Sequence, residues 1–124
     1  PRPVMICEPD ADAFQLPLRA MLQQRPLPRE LIAIEQLGEL VTAARQHRPC
    51  LVLLNTTSRT DEARAVAQAL RTERALRDVA MVAVTEPRAG LAAPELLSAG
   101  FDAVFAKPVL IGELERFLTS SSPR

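Results

Sequence analysis

The sequence predicts an α/β domain, a doubly wound five-stranded parallel sheet in a (βα)5 three-layer sandwich. Short runs dense in Val, Ile and Leu alternate five times with longer stretches of helical periodicity. Those runs lack the polar alternation of a half-exposed strand, so both faces of the sheet are buried and helices must cover each side as right-handed crossovers. A length of 124 residues with 48% apolar content supplies one domain and a proper core.

The elements follow in order. "PVMIC" (3 to 7) is the first strand, and "AFQLPLRAMLQQ" the first helix, with apolar residues at 14, 16, 18, 21 and 22, Asp12 as its cap and Pro17 in its opening turns. "LIAI" (31 to 34) is a second strand and "LGELVTAARQH" (37 to 47) a second helix. "CLVLLN" (50 to 55) and "TDEARAVAQALRTERAL" (60 to 76) form the third strand and helix. "VAMVAVT" (79 to 85) and "GLAAPELLSAG" (90 to 100) form the fourth pair, and "DAVFA" (102 to 106) and "IGELERFLTS" (111 to 120) the fifth. Residues 1–119 are expected to be the folded domain. The Ser-Pro composition of residues 120–124 is that of a linker or C-terminal tail, and the chain is expected to be one piece of a longer protein.

Fifteen basic residues balance fifteen acidic ones, with no long run of like charge and no Trp or Tyr. That balance argues against nucleic acid and against an anionic membrane, and leaves protein as the expected partner. No apolar stretch approaches the ~20 residues of a membrane span, and the first residues lack a signal-peptide pattern. The expectation is a cytoplasmic protein. Cys7 closes the first strand and Cys50 opens the third, so four residues of rise, ~13 Å, separate them, too far for a disulfide. Both are expected as buried free thiols. His47, near a helix end and with no second His or Cys beside it in sequence, is not expected to be a ligand.

Sheets of this kind place their sites at the carboxyl ends of the strands. Read in order, those ends are Cys7-Glu8-Pro9-Asp10, Asn55-Thr56-Thr57, Thr85-Glu86 and Lys107-Pro108. Fourteen of the fifteen basic residues are Arg, and Lys107 is the only Lys. Keeping a compact ammonium at that point, where a planar guanidinium would not substitute, marks Lys107 as a site residue.

Acidic residues after the first strand, a candidate acceptor position after the third, a hydroxyl after the fourth and Lys-Pro after the fifth resemble the receiver domain of bacterial response regulators, the CheY-like, flavodoxin-like fold. The likeness runs from about residue 3 to 119, and its most specific piece is "GFDAVFAKPVLIGELERFL". The resemblance places Asn55 where the family carries the aspartate that takes phosphate from a histidine kinase. A carboxamide is not a competent nucleophile for that reaction. The resemblance also implies a Mg²⁺ site, but Pro9 stands at one acidic position, Asn55 is neutral, and only Glu8, Asp10 nearby and the carbonyl of Thr57 remain. Mg²⁺ is expected to bind weakly or not at all, and no other cofactor is implied. Thr85 matches the switch hydroxyl. The aromatic switch position falls on Val104, with Phe105 one place along and facing the other side of the strand.

The implied function is a degenerate pseudo-receiver, a phosphorylation-independent module for protein contacts or dimerisation in two-component-type signalling, and not an enzyme. Its partner is expected to be another protein or an attached output domain. The family's contact face, made by the fourth helix, fifth strand and fifth helix, could also support a homodimer. Leu114 and Leu118 are expected to point inward, whereas Leu110 and Phe117, seven residues apart on one stripe, are expected to be partly exposed interface residues. The alternative, a small α/β enzyme or nucleotide binder, would need a glycine-rich first turn. This chain has "EPDADA" there, acidic and without Gly.

Overall fold

The computed structural model describes residues 2–8, 15–57, 59–86, 93–107, 109 and 111–121, with side chains in the last helix described as far as Leu118. Its elements are β1 (Val4–Cys7), α1 (Leu16–Gln23), β2 (Leu31–Ala33), a 3-10 turn (Leu37–Glu39) running into α2 (Leu40–His47), β3 (Leu51–Asn55), α3 (Thr60–Thr72), a second 3-10 turn (Arg74–Leu76), β4 (Ala80–Thr85), α4 (Ala93–Ala99), β5 (Ala103–Ala106) and α5 (Ile111–Ser121). The strands form one sheet in the order β2-β1-β3-β4-β5, and every neighbouring pair is parallel. The doubly wound (βα)5 sandwich expected from the sequence is the observed architecture.

Alternation along the strands divides the core in two. Met5, Cys7, Val52, Leu54, Met81 and Ala83 face the layer of α2, α3 and α4, packing on Leu40, Ala44, Leu70 and Leu96. Val4, Ile6, Leu51, Leu53, Val82 and Val84 face α1 and α5, packing on Leu18, Leu22, Leu114 and Leu118. α3 shows how the pattern makes the element. Ala63, Val66, Ala67 and Leu70 recur at i, i+3, i+4 and i+7 and are all buried, and Asp61 and Glu62 in its first turn complement the helix dipole.

Several boundaries moved for local reasons. Pro17 lies in the first turn of α1, where its missing N–H costs nothing. The expected cap, Asp12, lies outside the described residues. α2 is capped by Arg48, which takes a left-handed conformation (φ 49°) ahead of Pro49 and donates its N–H to the Ala44 carbonyl at 2.8 Å. The Arg2 guanidinium fixes that turn, donating to the carbonyl oxygens of Arg48 (3.1 Å) and Pro49 (2.7 Å). The expected helix 60 to 76 breaks at Glu73, whose backbone is extended, so that the following 3-10 turn can bury Leu76.

Arg71 holds the amino ends of β4 and β5. Its guanidinium donates to the carbonyl oxygens of Gly100 (3.0 and 2.8 Å), Arg77 (2.8 Å) and Val79 (2.6 Å) and to Asp102 Oδ2 (2.8 Å). The same Asp102 oxygen accepts from the Met81 N–H at 2.7 Å. Gly100 sits at φ 126°, and a Cβ there would lie 2.9 Å from Arg71 Cγ. Only the planar fork satisfies these acceptors together. Arg71→Ala is expected to lower stability by about 2–4 kcal/mol in urea unfolding, with Arg71→Lys recovering less than half of the loss. A cost below about 0.5 kcal/mol, the level of an ordinary surface substitution, would contradict this role.

Candidate functional site

The buried polar residues among the described ones are Glu8, Asn55, Thr56 and Thr85, and all lie at or just beyond the carboxyl ends of β1, β3 and β4. The register makes them neighbours, pairing Cys7 with Leu54, Asn55 with Val84, and Thr85 with Ala106. Lys107 follows β5, its N–H donating to the Thr85 carbonyl at 2.8 Å.

One oxygen gathers the group. Glu8 Oε1 accepts from Asn55 Nδ2 at 3.0 Å and from Lys107 Nζ at 3.2 Å. The Glu8 side chain is fully buried and that of Lys107 is 32% exposed. The other end of the amide is also used, because Asn55 Oδ1 accepts the Thr57 N–H at 2.8 Å. An amide fits this position because it offers a donor to one side and an acceptor to the other. A carboxylate would serve the Thr57 N–H equally well, but would set its second oxygen against Glu8 at hydrogen-bond distance. Gln15 Nε2 completes the surround by donating to the Glu8 carbonyl at 3.2 Å.

The hydroxyls are turned elsewhere. Thr56 donates both its N–H (2.9 Å) and its Oγ1 (3.3 Å) to the Val84 carbonyl, tying the loop after β3 to β4. Thr85 Oγ1 donates to the carbonyl of Glu86 at 3.1 Å. Thr57 Oγ1 is buried without a hydrogen-bond partner. Burial pushes the Cys7 thiol up from its usual range, with Arg59 opposing the shift, and burial likewise raises Cys50. Both thiols are free, and they pack into opposite core layers.

No protein-family model matches the sequence, and no curated protein does. Solved structures match over nearly the whole chain. The signal receiver domain of a DNA-binding response regulator from Colwellia psychrerythraea superposes with a TM-score of 0.81 at 14% identity, covering 100% of both chains. A response regulator from Burkholderia multivorans gives 0.79 at 21% identity, covering 99% of this chain and 96% of that one. The receiver domain of a sensor histidine kinase from Pseudomonas aeruginosa, solved with magnesium coordinated in its active-site cleft, gives 0.77 at 19%, covering 96% and 95%. This chain has the receiver-domain fold.

Within the receiver frame, the structure brings Glu8, Asn55 and Lys107 into direct contact, with Thr57 joined through Asn55 and Thr85 through the Lys107 backbone. Pro9, Asp10 and Leu110 lie outside the described residues, as do Pro108 and Ser58. Val104 and Phe105 pack on opposite core layers, so the aromatic ring does not share the face of Val104. Phe117 is half-buried and packs on the α1/α5 core layer. Among the described residues no three His, Cys, Asp or Glu side chains gather. The one described carboxylate at these strand ends, Glu8, turns Oε1 to an ammonium and an amide, and Asn55 Oδ1 is held by Thr57. These residues do not fit a hard divalent cation that needs several anionic oxygens.

Nothing in the local pattern marks Gln15, whose contact depends on how α1 starts over β1. The Glu8–Asn55 bond was more accessible, because a neutral amide among acidic strand ends needs an acceptor. Removing the ammonium would take one of the two described donors from Glu8 Oε1 and leave its buried charge less well compensated. Lys107→Met is expected to cost about 2–3 kcal/mol, less than a fully buried pair because Lys107 is partly solvated, and adding Glu8→Gln should restore more than half of the loss. Urea unfolding of the two single variants and the double variant reads this directly. Additive losses would contradict the coupling.

Proposed function

We propose that this domain is a phosphorylation-independent pseudo-receiver, a protein-contact module of bacterial two-component-type signal transduction acting in the cytoplasm, and that it performs no catalysis of its own. The observation that carries the reading is the Asn55 carboxamide, hydrogen-bonded at both ends, at the strand terminus where the resemblance puts the phosphoacceptor. An amide oxygen lacks the charge to attack phosphorus. Among the described residues the donor set does not fit Mg²⁺ and Thr85 Oγ1 is engaged by Glu86, which supports a pocket that phosphate does not switch. Among the described residues no helix is long and apolar enough to cross a membrane.

A module of this kind works through its surface, and we place the contact on the face of α4, β5 and α5, with a partner protein, an output domain or a second copy. Leu97 on α4 is 48% exposed, a large apolar side chain that the sequence pattern did not single out. Phe117, half-buried against the core, contributes its outer edge, with Leu97 as the more accessible anchor.

Incubation with acetyl phosphate and Mg²⁺ is expected to leave the intact mass unchanged, and a phosphoryl adduct at substantial occupancy would overturn the reading. Asn55→Asp alone should recover little phosphorylation, since the new carboxylate faces Glu8 without a metal to separate them. In the same preparation, Leu97→Asp should weaken partner binding or dimerisation about tenfold or more with an unchanged circular dichroism spectrum, as loss of an interface anchor does.

A further inference from the structure

The edge strand β2 is incompletely covered. α2 packs against α3 and the two 3-10 turns, leaving an open groove of about 690 Å³ between itself and the end of β2. Ala33, Ile34 and Ala43 line it with apolar surface, and Ile34 and Ala43 also touch the first core layer. The groove is open at Gly38, where a Cβ would meet nothing within 4 Å. Glu35 and Glu39 add two carboxylates that form no ion pair among the described residues.

The loop between α1 and β2 has the complementary character. It reads Arg25-Pro26-Leu27-Pro28-Arg29, and Leu27, 68% exposed, is the most exposed large apolar side chain described. Prolines on both sides restrict the backbone, so little conformational freedom remains to be lost on docking. The loop is also anchored at its end, where Arg29 Nη1 donates to the Arg2 carbonyl (2.7 Å) and the Arg29 carbonyl accepts from Gln23 Nε2 (3.2 Å). Arg25 forms no ion pair among the described residues.

We propose that the loop of one copy plugs the groove of the next, with Leu27 against Ala33, Ile34 and Ala43, and Arg25 against Glu35 and Glu39. The chain has no net charge, so copies approach without long-range repulsion. Loop and groove are different patches, so the contact is heterologous and grows head to tail. It is a surface separate from α4, and it does not depend on the state of the Asn55 pocket. A small interface of this kind is weak and salt-sensitive.

Sedimentation equilibrium from about 10 µM to about 1 mM, a range that brackets weak association, tests it in a Leu97→Asp background, so that the α4 face contributes nothing. The expected result is a mass that rises with concentration and falls with added salt. Leu27→Asp and Glu39→Arg, both at exposed positions, should each leave monomers. Mixing the two variants should restore a complex that stops at two chains, because together they retain one intact loop and one intact groove. A monomer at every concentration would overturn the proposal. So would an association that Glu39→Arg leaves intact, or one that mixing fails to restore, because the loop would then be docking elsewhere or onto its own counterpart.

Discussion

Burying a carboxylate at the end of a parallel strand costs free energy unless neighbouring strand ends supply donors, and Glu8 imposes that requirement on β3 and β5. Asn55 answers with an amide hydrogen and Lys107 with an ammonium, both on Oε1. Three strand ends are thereby joined at one atom. The remaining polar contacts extend outward from it, through Thr57 on the far side of the amide and through the Lys107 N–H on the Thr85 carbonyl. These bonds also restrain the loops, because moving any one of them breaks a contact to the buried Oε1.

The same interaction explains why the last position of β3, Asn55, is neutral. With one ammonium present, a second carboxylate 3.0 Å from the first would need a further cation, and the described donor set does not assemble a site for one. The amide removes the charge and keeps the geometry. Under the proposed function, the pocket has exchanged a chemical role for a structural one and leaves signalling to the surface. The opposite end of the sheet is held by similar means, since Arg71 and Asp102 fix the starts of β4 and β5 through backbone acceptors. The molecule is therefore stapled at both ends of its strands.

How far the sequence could be read depended on the range of the interaction. Apolar runs such as "LVLL" announced buried strands, and the separation of Cys7 from Cys50 followed from counting residues along them. Lys107 stood out as the only Lys, and Leu114 and Leu118 face inward as their spacing required. The helix after β3 ends at Thr72, short of its periodicity, because the break at Glu73 answers to the burial of Leu76 and the folding back of residues 77 to 79 onto Arg71, contacts that local periodicity does not encode. Leu97 and Gln15 were invisible for the same reason. One depends on which face of a short helix its neighbours cover, the other on where α1 meets β1.

The most direct test of a pocket closed by its own side chains is a titration with beryllofluoride and Mg²⁺, followed by the side-chain NH₂ signals of Asn55 and the backbone amides of Thr57, Thr85 and Lys107. The account predicts that these signals do not move and that the Asn55 NH₂ protons stay protected from solvent exchange with or without the additives. Saturable shifts at these positions, spreading into β4, β5 and α5, would show that the site opens to a phosphoryl-like ligand and would contradict it.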